Sequence, residues 1–254
     1  MRPAQPGFDY ESLQVSYSGY RQTDPHIEAQ VHAALGDAGT ILNVGAGAGS
    51  YEPRDRYVIS IEPSAAMRRQ RPGMGRKPAL IGTADAIPFD DGAFDASMAM
   101  VTIHHWPDIA AGLKEMRRVT RGPMVLLTFD PEAMAGFWTG DYFPQLIEAE
   151  SGRFPTMKQL SEMLGGKCSI QRVSIPLHCK DGFTEAYYGR PEAFLEEGVR
   201  RAQSCWSFLP PGAEEVLVDK FAAALASGDW DSRYGHLRSQ PFASYSLSLV
   251  TALP

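Results

Sequence analysis

Five residues, Thr40 to Val44, form an apolar and partly β-branched run that stops abruptly in Gly45-Ala46-Gly47-Ala48-Gly49. A short apolar run bounded by glycine fits a strand buried on both faces. Glycine stands where the backbone turns tightly or must touch a ligand, because a Cβ there would collide. A loop of this kind after a parallel strand lies at the crevice where open α/β sheets bind ligands. A dinucleotide fingerprint asks for glycine at relative positions one, three and six. Gly45 and Gly47 supply the first two, but position six is Ser50. By themselves the residues leave two readings, a ligand loop and a tight turn without a ligand.

The flanking pattern sets the fold class. Asp24-Pro25 starts a helix, with Asp24 as cap, Pro25 at the first helical position and Ile27, Val31, Ala34 and Leu35 on one face; Gly36 and Gly39 end it. Further strands are predicted at Tyr57 to Ile61, Ala79 to Ile81, Phe94 to Val101 and Met124 to Phe129, with helices at Ser64 to Arg71 and Pro107 to Val119. Strands alternating with helices indicate an α/β fold with a mainly parallel sheet and right-handed crossovers. Beyond Asp130 the pattern loosens. Thr156 to Leu164 reads as a helix, Ser169 to Leu177 as a strand, residues 191–226 as two helices and Tyr245 to Thr251 as a closing strand. The expected organisation is one domain over 1–254. Its core lies at about 24–130 and 156–254, with a lead segment at 1–23 and candidate lid segments at 131–155 and 180–240.

Composition narrows the function. The formal charge of -6 argues against a nucleic-acid partner, which asks for a clustered basic face. The dense run Arg68-Arg69-Gln70-Arg71 fits a solvated helix face. Three cysteines, Cys168, Cys179 and Cys205, with no CxxC spacing, give neither a disulfide framework nor a zinc site, and no metal is expected. No apolar stretch reaches the ~18 residues of a membrane span. The first ten residues lack a signal-peptide run, so a cytoplasmic location is expected. Oligomeric state is not legible.

Two carboxylates follow the next two strands. Glu62, 17 residues after Gly45 (62 minus 45), can accept both hydroxyls of a ribose through its two oxygens. Asp85 can accept from an adenine amino group. The alternatives are a solvated strand-end carboxylate and a turn or cap residue. Strand ends in an open α/β sheet face one crevice, so the three features together describe a pocket for an adenosine-like ligand.

With these residues the stretch from about Ile41 to Asp130 closely resembles the class I S-adenosylmethionine-dependent methyltransferases of the bacterial small-molecule type. The resemblance is carried by Asn43 to Gly49, Ile61-Glu62-Pro63-Ser64, Ala84-Asp85-Ala86-Ile87-Pro88-Phe89, and Phe94-Asp95-Ala96 leading into Ile103-His104-His105-Trp106. It implies a Rossmann-like three-layer sandwich whose mostly parallel seven-stranded sheet has its last strand antiparallel, with helical cap insertions. It implies S-adenosylmethionine as cofactor, with S-adenosylhomocysteine as product. Asn43, Gly45, Ala46 and Gly47 would pass the methionine part, and Glu62, Pro63 and Met67 the ribose side. Asp85 and Ala86 would hold the adenine, and Met100 and Val101 would lie near the methyl. Tyr17 and Arg21 match a lead segment that folds over the cofactor in such enzymes. The substrate would be a small-molecule methyl acceptor at oxygen, nitrogen or carbon.

His104 is the candidate general base, since an unperturbed histidine keeps a neutral fraction at pH 7. The competing reading is a helix-entry histidine beside Trp106. His178 and Asp181 form a second candidate pair or else a surface turn, and Cys179 lacks a partner spacing for a nucleophile. Trp138, Tyr142, Phe143, Tyr187, Tyr188 and Trp206 are either a lid or core packing. Rival functions are a nicotinamide-dependent oxidoreductase, a cofactor-binding protein of the same fold that does not methylate, and a nucleic-acid or protein methyltransferase.

Overall fold

A computed structural model describes residues 17–165 and 167–254, apart from the Tyr17 and Ser18 side chains. After the short helix α1 (Tyr17–Tyr20) come α2 (Pro25–Leu35), β1 (Thr40–Val44), β2 (Tyr57–Ile61), α3 (Ala65–Gln70), β3 (Ala96–Met100), α4 (Ile109–Val119) and β4 (Met124–Phe129). The remainder contains α5 (Thr139–Tyr142), α6 (Pro144–Ser151), α7 (Met157–Met163), β5 (Cys168–Arg172) and β6 (Ile175–Pro176). It ends with α8 (Glu197–Arg201), α9 (Ala213–Ala226), α10 (Asp229–Tyr234), β7 (Phe242–Ala243) and β8 (Leu247–Ala252). No helix among the described residues is long and apolar enough to cross a membrane.

The main sheet runs β2-β1-β3-β4-β8-β5. The first four strands are parallel, and β8 lies antiparallel to both β4 and β5. The strand expected at Ala79 to Ile81 is reduced to one bridge between Ile61 and Leu80, so the sheet has six strands where seven were expected. Its two bonds are Leu80 N to Ser60 O at 2.8 Å and Glu62 N to Leu80 O at 2.9 Å. Pro78 offers no N–H to extend the ladder, and Ile81 is 75% exposed, so nothing apolar holds a longer edge strand down. The expected strand Ser169 to Leu177 also splits. The Gln30 side chain donates to Ser174 O at 3.1 Å and accepts from Ser174 N at 3.2 Å. Beyond that break, β6 pairs with β7 in a separate two-stranded ribbon.

Alternation along the strands divides the core. Ile41, Met98 and Val125 face one side, packed with Ile27, Val31 and Leu35 of α2 and with the helical elements after β4. Leu42, Ala99 and Leu126 face the other, with Leu113 and Met116 of α4 and Leu160 of α7. This is the period-two pattern of strands buried on both faces. Asp24 caps α2 as expected, accepting from His26 N at 2.9 Å and Ile27 N at 3.3 Å.

Behind the glycine loop lies a fully buried ion pair. Arg71 Nη2 donates to Glu52 Oε1 at 2.9 Å and Oε2 at 3.0 Å, while Asn43 Nδ2 and Ser60 Oγ donate to Oε1 at 2.9 and 2.7 Å. Arg71 Nη1 reaches Gly47 O at 3.2 Å, which ties the loop to the pair. The run read as a solvated face thus contributes its last arginine to the interior. Losing one partner of a buried pair costs about 3–5 kcal/mol, because the other charge is stranded. Arg71→Met should therefore lower stability by that amount in urea unfolding, and Arg71→Met with Glu52→Leu should recover part of it. A double variant no more stable than the single one would contradict this account.

Candidate active site

The carboxyl ends of β1, β2 and β3 open into a crevice of about 440 Å³, at the point where the strand order reverses between β1 and β3. Gly45, Ala46 and Gly47 form its floor. Gly45 has φ +66° and Gly47 φ +50°, and a Cβ on Gly45 would come within 2.4 Å of Thr102 Oγ1. Glycine is thus required there both by conformation and by space.

Glu62 faces the crevice from the end of β2. Gly47 N donates to its Oε2 at 2.7 Å and Ser64 N to its Oε1 at 2.8 Å. These bonds fix the carboxylate and leave each oxygen a further lone pair, suited to a pair of neighbouring hydroxyls. Burial raises its pKa above the ordinary carboxyl value, and the two backbone donors with Arg68 and Arg71 oppose that rise.

Pro63, Met67, Met100, Val101 and Arg21 also line the crevice. Three expected residues do not. Asn43 is buried beneath the loop, where its amide serves Glu52. Asp85 and Ala86 are exposed, and the wall at their level is formed by Thr83 and Ala84. With no regular strand before them, the turn carries both residues outward. The Tyr17 side chain lies outside the described residues. Thr102 and Trp106 join the crevice without having been named as cofactor contacts, and Asp181, expected as half of an acid–base pair, lines it as well.

Val101, at the end of β3, has φ +51°. For a β-branched residue this is a strained conformation of the kind found at functional sites. Its N–H bonds Leu127 O at 2.7 Å. Val101, Arg21 and His105 also line an inner chamber of about 60 Å³, which continues the crevice beneath the helical elements after β4.

His104 belongs to this chamber and does not line the crevice. Its ring lies 3.9 Å from His105 and 4.3 Å from Phe154 between centroids. Burial, then His105, Arg153 and Arg21, push its pKa well below the ordinary histidine value. Burial and the same two arginines hold His105 down to about 3. A histidine so depressed is neutral and weakly basic. The acidic groups in the chamber shift the other way: burial raises Glu150, opposed by Arg153 at 2.7 Å, and raises Glu185, which accepts from Ser246 Oγ, Ser246 N and Leu247 N.

Asp181 is buried and His178 exposed, so they do not act together. Asp181 instead accepts from Arg21 Nε at 2.5 Å and from the Tyr51 hydroxyl at 2.7 Å, anchoring Arg21 over the crevice. Burial pushes the Cys179 thiol up, away from nucleophilic use. Trp138, Tyr142, Phe143, Tyr187, Tyr188 and Trp206 line neither cavity. Most of them pack with Phe194 and Phe221 in the core of the helical layer, Trp138 stacking on Phe221 at 5.2 Å.

Residues 42–124 match the model of a methyltransferase domain family. Over 119 residues, 42% of this chain and 48% of the relative, the chain is 31% identical to a demethylmenaquinone methyltransferase of Beutenbergia cavernae. Over 56 residues, 21% of this chain and 25% of the relative, it is 45% identical to a demethylmenaquinone methyltransferase of Mycolicibacterium gilvum. The chain thus spans less than half the length of these relatives. A crystal structure from Anabaena variabilis, of a protein ascribed to an antibiotic biosynthesis pathway as a methyltransferase, superposes with a TM-score of 0.84 at 26% identity. That match covers 92% of this chain and 99% of the other. Geranyl diphosphate C-methyltransferase from Streptomyces coelicolor, crystallised with S-adenosylhomocysteine, shares the fold at a TM-score of 0.51 and 16% identity, over 89% of this chain and 76% of the other. Residues 42–124 thus carry the likeness to a methyltransferase domain, and nearly the whole chain shares its fold with the Anabaena variabilis structure.

The depressed histidines predict a pH effect. An unfolded His105 takes up its proton near pH ~6.5 while the folded one stays neutral until about pH 3, so stability falls as pH drops below ~6.5. His104 acts in the same sense, and the raised carboxyls of Glu62, Glu150 and Glu185 oppose both by binding protons in the folded state. Between pH 7 and pH 5.5, His105→Gln should flatten the slope of unfolding free energy by up to about 1.4 kcal/mol per pH unit. Equal slopes in the two proteins would argue against a buried neutral His105.

Proposed function

We propose that the protein transfers a methyl group from S-adenosylmethionine to a small-molecule acceptor, releasing S-adenosylhomocysteine. The observation that carries this reading is that the crevice and the inner chamber share Arg21, Val101 and His105 in their linings, so that two ligands can face each other there. The crevice suits the cofactor: a backbone floor bared at Gly45 and Gly47, an oriented carboxylate at Glu62, and a volume within the ~300–1,000 Å³ common for ligand pockets. Glu62 would hold the ribose, Met67 and Pro63 would flank the nucleoside, and Thr83 with Ala84 would border the base. The bound cofactor supplies a methyl made electrophilic by its sulfonium.

The protein's part is alignment. Holding two reactants in line can contribute on the order of 7–11 kcal/mol. Arg21, pinned by Asp181, and Val101, held by the β4 backbone, fix the boundary between the two ligands. His104 is neutral and weakly basic where it stands, so its role here is to orient the acceptor by a hydrogen bond, not to remove a proton at neutral pH. The segments 131–155 and 180–240 serve as the cap that closes the chamber. The charge of -6 favours a small molecule over a nucleic acid.

Titration calorimetry tests the cofactor assignment. S-adenosylhomocysteine should bind and NADH should not, and Glu62→Ala should weaken that binding by about 1.5–3 kcal/mol, the range for hydrogen bonds to a charged group. Binding of NADH with none of S-adenosylhomocysteine would sink the proposal.

A further inference from the structure

A hollow of about 180 Å³ lies apart from the crevice and the chamber and shares no lining residue with either. Arg54, Arg56, Arg76 and Lys77 line it, brought together from the segment after the glycine loop and the turn after α3. The one carboxylate on its lining, Glu52, is already committed to Arg71, Asn43 and Ser60. Asp55 stands 3.8 Å from Arg56 Nε, whereas Arg54, Arg76 and Lys77 form no ion pair among the described residues. In a chain of formal charge -6, a cluster of cations without counter-charge runs against the overall balance.

The donors are held in place and also open. Arg54 Nη2 donates to Met74 O at 3.3 Å, Arg56 Nη1 to Gly36 O at 2.7 Å and Arg76 Nη1 to Glu52 O at 2.6 Å. Each guanidinium is thus tethered at one nitrogen and keeps further N–H groups to donate. Arg54 and Lys77 are exposed. On Arg76 only Nε is both buried and unpartnered, so Nη2, which bonds nothing among the described residues, is reached by solvent. The Arg76 stem is fixed too, since a Cβ on Gly49 would come within 2.6 Å of its Cγ. Lys77 Nζ lies 5.1 Å from the centroid of the Tyr57 ring. Burial lowers the Arg76 pKa and Arg54 and Arg71 push the same way, against Glu52 and Glu28. Like charges so placed repel, and an anion among them relieves that repulsion.

We propose that this hollow is a binding site for a phosphate group, as inorganic phosphate or on a small monoester, held by Arg54, Arg76 and Lys77. Three unpaired cations exceed what a single carboxylate neutralises. A phosphate brings about -1.5 to -2 of charge at neutral pH, with several acceptor oxygens that separate donors can share. The arginine forks match its geometry, and the lysine adds a point charge. Taking ~30 Å³ for each water, the hollow has room for about six, enough for a phosphate with a short linker and too little for a nucleic-acid duplex. The site stands on its own geometry and does not rest on the methyl-transfer reading.

Ligand-observed NMR on the full chain tests the site, with inorganic phosphate, glycerol phosphate and acetate as probes. Phosphate or its ester should bind at least ten-fold more tightly than acetate, and saturating S-adenosylhomocysteine should leave that affinity within two-fold. Tighter binding of glycerol phosphate would name a monoester as the ligand, and tighter binding of phosphate the free ion; both support the site. Arg54→Gln with Lys77→Gln should weaken phosphate at least ten-fold, while circular dichroism and S-adenosylhomocysteine affinity stay unchanged. If the double variant does not fold, each single variant should weaken phosphate at least three-fold. The site is overturned by acetate binding as well as phosphate, by loss of phosphate once S-adenosylhomocysteine fills the crevice, or by unaltered affinity in the variants. A short single-stranded oligonucleotide that binds where neither phosphate probe does would overturn it too. If S-adenosylhomocysteine itself fails to bind, the cofactor reading falls, and the variants still decide this site.

Discussion

The Glu52–Arg71 pair is the contact on which the cofactor crevice depends. One carboxylate gathers Arg71, Asn43 and Ser60, so that a helix end, β1 and β2 are joined beneath the glycine loop. Arg71 then reaches the Gly47 carbonyl from behind, which leaves the opposite side of the loop open to a ligand. A glycine loop left to itself is the most mobile backbone a chain can offer. Here its freedom is removed by charge-assisted bonds in the interior, where water does not compete for them. The same residue that permits the close approach therefore sits on a rigid base, as a preorganised site needs.

A second carboxylate organises the other half. Asp181 comes from the segment after the β6 strand, Arg21 from the lead segment and Tyr51 from the glycine loop region, and all three meet in one buried cluster. Gly182 N bonds Tyr20 O at 2.9 Å beside it, and an added Cβ on Gly182 would come within 2.7 Å of that oxygen. The lead segment is thus held by contacts to a part of the chain about 160 residues away. This places Arg21 where crevice and chamber join.

Burial sets the protonation states throughout the site. The two histidines lose basicity and the carboxyls of Glu62, Glu150 and Glu185 lose acidity, each because the charged form is poorly solvated. On the proposed function, the site works through alignment and hydrogen bonding more than through proton removal by histidine. The strained Val101 backbone belongs to the same design, because a residue forced into a left-handed conformation stays there only when the surrounding packing over-determines it.

The sequence by itself determined the layered α/β plan, the strand positions of β1, β2 and β4, the cap of α2, the glycine loop and Glu62. Each of these is written in local terms: apolar period, a capping residue, a glycine that no side chain can replace. The family resemblance, and not the local pattern, pointed to Met67, Met100 and Val101, which line the crevice. What the sequence did not contain was the direction of side chains whose partners are far along the chain. Asn43 turns inward because Glu52 is there, Asp85 turns outward because Pro78 leaves the edge without a full strand, and His104 sits in the chamber and not the crevice. Arg71 read as surface and is wholly buried. Only the tertiary structure decided these, because hydrogen-bond geometry and burial depend on residues that meet after folding, while periodicity records only what each segment presents on its own.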